Sequence, residues 1–165
     1  MTSKDATPAE PPTEAALRNT ALNMLARREF ARAELARRLS RKYGDEAPVE
    51  PVLAWLEEMN FLNDTRYAGM LVRSHIERGH GLLRIRQTLQ QNGIAPALAE
   101  QALAETDCDW FALAAETRQR RFGGGAPADL KDKARQLRFL QYRGFTGEQC
   151  FAALDSVRDS PHDAD

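Results

Sequence analysis

Strand-forming residues are scarce in this sequence: 165 residues include only four Val, three Ile and nine Thr, and aromatics make up 7%. A large β-sheet needs β-branched and aromatic side chains on its pleated faces, so that architecture is excluded. No apolar run approaches 18 residues, and no segment reads as a membrane span. Met1 to Thr13 lacks the apolar core of a secretory signal, which points to a cytoplasmic protein. Two cysteines, Cys108 and Cys150, are too few for a disulfide framework or a four-thiolate zinc site, and both read as ordinary thiols of a reducing compartment.

Groups that carry chemistry are missing as well. His75 and His80 stand five apart with Gly79 between them, a spacing that does not share one helix face as a metal pair would, and His162 lies in the C-terminal tail. Gly123-Gly124-Gly125 leads into Ala126 and Pro127, not into the Gly-Lys-Ser/Thr of a phosphate loop, and reads as a flexible link. Glu57 and Glu58 are adjacent and point in different directions, a poor acid/base pair. Trp55, Trp110, Phe111, Phe139 and Phe151 sit at helical spacings and read as core. With no catalytic residues, metal ligands or cofactor motif, the chain reads as a non-enzyme.

Helix formers are plentiful: 26 Ala, 19 Leu and 19 Arg. An apolar content of 42% and a charged content of 28% suit a soluble all-α protein, and 18.5 kDa fits one domain or a short stack of small repeats. Nine helices are expected at 14–29, 31–43, 50–60, 64–77, 81–92, 96–105, 109–121, 128–142 and 147–157. Three apolar stripes at steps of three and four support them: Leu17, Ala21, Leu25; Leu82, Ile85, Leu89; and Leu130, Ala134, Leu137. Asp64 is placed to cap the fourth helix, and Thr146 with Gln149 forms a capping box for the ninth. Pro51, Pro96 and Pro127 suit first turns, and Gly44, Gly93 and Gly144 follow helices where a left-handed residue is wanted. Residues 1–13 and 158–165, the latter acidic, offer nothing apolar to bury and are expected to be disordered.

The glycines expose a repeat. Leu89 precedes Gly93 by four residues, Ile94 follows it, and Leu103 lies ten beyond; Leu140, Gly144, Phe145 and Leu154 repeat that spacing at an offset of 51. Around Gly44 the correspondence is looser, with Leu39 five before and Leu56 twelve after. The expected architecture is three tandem three-helix repeats, at 14–62, 63–106 and 107–157, in an elongated, curved array whose units bury their apolar faces on one another.

Charge follows the same period. Residues 17–43 hold eight bases and two acids, and residues 45–64 hold six acids and no base. Residues 66–94 carry five bases and one acid, residues 95–110 four acids, residues 116–145 eight bases and three acids, and residues 146–165 one base and five acids. A basic stripe made by the first two helices of each unit attracts phosphates or an acidic protein surface. The same pattern also arises from solvated faces whose opposite charges pair between neighbouring helices. Helix-glycine-helix occurs three times, but the helix after the glycine carries Glu57 and Glu58, or Glu100 and Glu105, and phosphates repel it; major-groove reading by these helices is disfavoured.

Several short motifs stand in order along the chain: Ala21-Leu22, Leu25, Arg27-Arg28, Glu34-Leu35 and Leu39; Phe61-Leu62-Asn63-Asp64 and Tyr67-Ala68; Arg78-Gly79, Gly81, Arg84-Ile85, Leu89 and Gly93-Ile94; and Arg121-Phe122-Gly123, Pro127, Arg138-Phe139-Leu140 and Arg143-Gly144-Phe145. Together they resemble the RecX family of bacterial regulators of the RecA recombinase. The resemblance runs from about residue 17 to 157. It departs at Ala31, where such proteins commonly carry a capping hydroxyl, and at Gly69 inside the fourth helix.

The resemblance implies a monomeric, cytoplasmic non-enzyme that binds RecA, lodges in the helical groove of its nucleoprotein filament, and modulates ATP hydrolysis and strand exchange, usually by inhibition. Charge placement then nominates Arg37, Arg38, Arg41, Arg73, Arg78, Arg84, Arg86, Arg120, Arg121, Arg138 and Arg143 as the contact set. The alternative is a single- or double-stranded DNA-binding protein that acts without RecA, with affinity governed by counterion release.

Overall fold

A computed structural model describes residues 10–157, and among these the chain forms nine α-helices and no strand. They are α1 (Glu14–Arg27), α2 (Arg32–Tyr43), α3 (Val49–Glu58), α4 (Asp64–Glu77), α5 (Leu82–Gln91), α6 (Pro96–Glu105), α7 (Trp110–Phe122), α8 (Leu130–Tyr142) and α9 (Gly147–Asp155). Expectations for residues 1–9 and 158–165, His162 among them, fall outside the described residues. Residues 10–13 are not helical, and Thr13 caps α1 by accepting the Ala16 N–H at 3.2 Å. Pro96 opens α6 as expected, whereas Pro127 precedes α8 entirely; Asp129 caps that helix, accepting the Asp132 N–H at 2.7 Å.

The chain divides after Asp64 into two compact units. In the first, α1, α2 and α3 pack on one another around fully buried Leu17, Ala21, Leu35, Leu39, Val52, Leu53 and Leu56. Burying each large aliphatic side chain contributes about 1.5–3 kcal/mol, so this small core carries the unit. Ala31, at the N-cap of α2, is itself fully buried and offers no capping oxygen. Asp64 supplies it instead: Oδ1 accepts the Arg32 backbone N–H at 2.7 Å. Asp64 therefore stands inside α4 as its first residue and caps α2, a correction to its expected role at α4.

In the second unit the offset of 51 appears as one turn made twice. After α5, Gly93 donates to Gln90 O and Ile94 to Leu89 O; after α8, Gly144 donates to Gln141 O and Phe145 to Leu140 O. These paired bonds close a left-handed helix end, with φ of +77° at Gly93 and +98° at Gly144. Leu89, Ile94 and Leu103 and their counterparts Leu140, Phe145 and Leu154 are all buried. α2 ends differently, at Gly44 with a single bond to Ser40 O, which is why the first repeat matched loosely.

The turn after α8 touches the segment leading into α5 through the backbone. Gly81, ahead of α5, donates to Arg143 O at 2.8 Å, and Leu83 donates to Gly144 O at 3.0 Å. A Cβ on Gly81 would collide with the Gly144 carbonyl and the Phe145 nitrogen, and one on Gly144 would collide with Arg84. The start of α5 and the end of α8 are thereby held together, which fixes the backbone from which Arg84, Tyr142 and Arg143 project.

The third apolar stripe is the buried face of α8 only at Leu137, which packs against the core. Leu130 is 84% exposed and Ala134 is exposed, while Gln136 and Leu140 are buried. A polar pair turns that face inward: Arg118 of α7 is only 2% exposed, and its Nε donates to Gln136 Oε1 at 2.9 Å. The same guanidinium donates to Gly123 O at 3.3 Å and Gly125 O at 2.5 Å, so the triglycine segment is pinned, not a free link. Phe111 and Phe151, expected in the core, are about half exposed. On α9 the buried stripe runs through Cys150, Ala153 and Leu154, and Phe151 lies one residue, about 100°, away from it.

Candidate partner-binding site

Four of the eleven nominated arginines surround one open hollow of about 250 Å³ in the second unit. Arg78 enters from the end of α4, Arg120 and Arg121 from the last turn of α7, and Arg143 from the C-cap of α8; Gly79, Thr117, Glu77 and Phe139 complete the lining. Phe139 forms an apolar wall, with the Arg143 guanidinium 5.0 Å and the Arg121 guanidinium 5.9 Å from its ring centroid. Arg143 also donates to Arg78 O at 2.9 Å, and Arg78 folds back onto Ser74, donating to its carbonyl at 3.3 Å and its hydroxyl at 3.1 Å. Arg120 pairs with Glu116 one turn earlier. Among the described residues, Arg78, Arg121 and Arg143 have no carboxylate partner, although each guanidinium is suited to grip one or a phosphate with two parallel bonds.

The other nominated residues lie elsewhere. Arg84 lines a second hollow with Leu83, Gln87, Gln141, Tyr142 and Gly144. Arg86 is engaged by Glu100 of α6 through contacts of 2.6 and 3.3 Å, and the bonded guanidinium holds that carboxyl below its ordinary range. Arg73 lies beside α6, against Ala102, Glu105 and Thr106. Arg138 is exposed on α8 with no partner among the described residues. In the first unit, Arg37 and Arg41 are exposed, and Arg38 reaches Glu34 at 3.5 Å. The charge alternation is thus partly satisfied within units: Arg86 pairs with α6, and Arg32 joins Glu50 at 2.8 Å and Glu57 at 2.5 Å on α3.

The two histidines meet after all. α4 ends in a left-handed turn at Gly79, with His80 N donating to His75 O, and that turn folds the ring of His80 back onto His75. Their Nδ1 atoms lie 2.7 Å apart, one donating and one accepting, in a position where such turns usually hold an apolar contact. Both rings are buried. Burial first, then the positive charge of Arg84 and its neighbours Arg143 and Arg78, pushes His80 down to about 4; burial and the charges of Arg78 and Arg84 lower His75. Both are neutral at physiological pH. Among the described residues no cluster of three or more His, Cys, Asp or Glu is arranged to hold a metal ion, and no helix is long and apolar enough to cross a membrane.

The sequence and the fold match known proteins along almost the whole chain. Family models for the first, second and third three-helix domains of RecX match residues 18–56, 63–103 and 107–154. The chain is 47% identical over 138 residues to a regulatory protein RecX of Halorhodospira halophila, covering 84% of this chain and 86% of that one. It is 42% identical over 137 residues to a regulatory protein RecX of Vibrio parahaemolyticus, covering 83% and 88%. The crystal structure of RecX from Lactobacillus salivarius aligns with a TM-score of 0.72 at 21% identity, over 88% of this chain and 96% of that one, and a second regulatory protein RecX with 0.71 at 23%. At that identity the solved structures speak for the fold, and the sequence relatives and domain models for the lineage. With three successive three-helix domains matched and nine helices among its described residues, the chain belongs to the RecX family of regulatory proteins.

Proposed function

We propose that this chain binds the RecA nucleoprotein filament, in its helical groove, and inhibits RecA's ATP hydrolysis and strand exchange during recombination and DNA repair, acting in the cytoplasm as a monomer without catalysis of its own. One observation carries this reading: Arg78, Arg120, Arg121 and Arg143 converge on a single open hollow, and three of them lack an internal acid. A filament of protein on DNA presents carboxylates and phosphates, and an arginine cluster around an aromatic wall grips such groups with fixed geometry. Arg84 and Arg138 extend the positive surface, and Arg37, Arg38 and Arg41 offer a further basic surface on the first unit. Arg73 and Arg86 contribute less, because the acids of α6 stand beside them.

The test is a titration of RecA ATPase on single-stranded DNA. Arg78→Glu combined with Arg121→Glu raises the concentration needed for half inhibition by about tenfold or more, since each lost charge-assisted contact is worth about 1.5–3 kcal/mol. Lys131→Glu, an exposed change of the same sign on α8 outside the hollow, leaves inhibition as it was. Equal inhibition by both folded variants removes the hollow from the interface.

A further inference from the structure

We infer that the second hollow, between the start of α5 and the end of α8, is a stacking site for a base of single-stranded nucleic acid. The hollow measures about 430 Å³ and is lined by Leu83, Arg84, Gln87, Gln141, Tyr142 and Gly144, without an acid among them. Tyr142 is 79% exposed, an unusual position for a large ring that could have packed inward. The Arg84 guanidinium lies 5.6 Å from its centroid and has no carboxylate partner among the described residues. Its backbone and Cβ lie close against Gly144 at the locked turn.

Each lining group matches one part of a nucleotide. The Tyr142 face stacks on a base of any identity, and partly exposed Leu83 adds apolar surface beside it. Gln87 and Gln141 each present an amide donor and an amide acceptor, the complement of a base edge; a phosphate or a carboxylate would need donors only. Arg84 supplies the positive charge for the adjoining phosphate. Arg143 follows Tyr142 in sequence and lines the arginine hollow, so positive charge continues in sequence from one hollow to the next. A duplex keeps its base faces stacked and cannot offer one to Tyr142, which makes the site selective for single strands.

The experiment leaves RecA out, so its outcome is separate from that of filament inhibition. Fluorescence anisotropy follows a labelled 20-residue thymidine oligonucleotide, a 20-base-pair duplex and an abasic oligonucleotide of the same length, at physiological salt. The full chain binds the thymidine strand at least several-fold more tightly than the abasic strand or the duplex. Tyr142→Leu, apolar but not aromatic, weakens the thymidine strand by about tenfold, whereas Tyr142→Phe stays within about twofold. A uridine oligonucleotide of equal length, if bound as tightly, widens the ligand to RNA without altering the stacking site. Tyr142→Leu binding the thymidine strand as the parent does, or the abasic strand matching it, overturns the inference.

Discussion

The carboxylate of Asp64 closes the N-terminus of a helix that begins 32 residues earlier, its Oδ1 accepting the backbone N–H of Arg32 at 2.7 Å. Local capping is replaced here by a long-range cap, and buried Ala31 is free to pack where a capping side chain would stand. The Arg32 side chain then turns outward to Glu50 and Glu57, whose bonds raise its proton affinity further. Asp64→Ala is expected to lower unfolding free energy by about 1–2 kcal/mol, the usual effect of a lost N-cap. Asp64→Asn, which keeps an acceptor oxygen, costs less. Urea denaturation of both variants separates the lost hydrogen bond from the lost charge; equal stability of Asp64→Ala and the parent would mean the cap contributes nothing.

The histidine pair makes stability depend on pH in a defined window. His80 has a folded value of about 4, below the ordinary 6.5, so the unfolded chain takes up a proton at a pH where the folded chain refuses it. Stability is complete above about pH 6.5 and is lost as pH falls from there toward 4, by about 1–3 kcal/mol. The carboxylates lowered by their arginines, Glu50 and Glu100, lose their share only below about pH 4.5, so urea midpoints at pH 7.5, 6 and 5 isolate the histidines. Replacing both by Leu flattens the profile above pH 5. An unchanged slope in that variant would place the acid sensitivity elsewhere.

What was legible in the sequence was the part governed by short-range rules. Gly93 and Gly144, Thr146 with Gln149, and the leucines at matched offsets announce the helices and the repeat, because each acts on its own few neighbours. Interactions that cross the chain were not legible. Asp64 read as a cap for the helix it begins, since nothing local says that Ala31 needs its oxygen. Leu130, Ala134 and Leu137 read as one stripe, yet only Leu137 packs against the core, and buried Arg118 makes Gln136 an inward residue in place of the other two. His75 and His80 do not share a helix face, and it is the left-handed turn at Gly79, invisible to helical spacing, that brings their rings into hydrogen-bond contact. Charge counting does not show how the arginines group: Arg86 is engaged by Glu100, while Arg78 and Arg143, 65 residues apart, meet.

Arg118 is a structural arginine in a chain full of exposed ones. Its three bonds, to Gln136 and to the carbonyls of Gly123 and Gly125, tie α7, α8 and their connection together. Arg118→Met keeps volume but leaves Gln136 and two carbonyls without their donor, and is expected to cost about 2–4 kcal/mol. Limited proteolysis should then cut near Gly124 well before the parent is cut. A variant of parental stability with no new cleavage would show that the loop is held by other means.

Gly81 offers the cleanest test of the lock between α5 and α8. Its φ of −84° and ψ of 169° suit any residue, so alanine there carries no backbone strain, and any loss of stability reports the close approach alone. The added Cβ would have to displace the Gly144 carbonyl and the Phe145 nitrogen, both backbone atoms that cannot rotate aside. A cost of about 2–4 kcal/mol follows, toward the upper end of overpacking effects because the obstacle is rigid. Gly124→Ala is the contrasting change, since a Cβ there meets nothing within 4 Å, and it should be neutral or stabilising by a few tenths of a kcal/mol. Because the same turn holds Arg84, Tyr142 and Arg143, Gly81→Ala should also weaken both RecA inhibition and single-strand binding at temperatures where it remains folded. A Gly81→Ala protein with parental melting temperature would mean that the two turns separate readily, and that neither hollow depends on their contact.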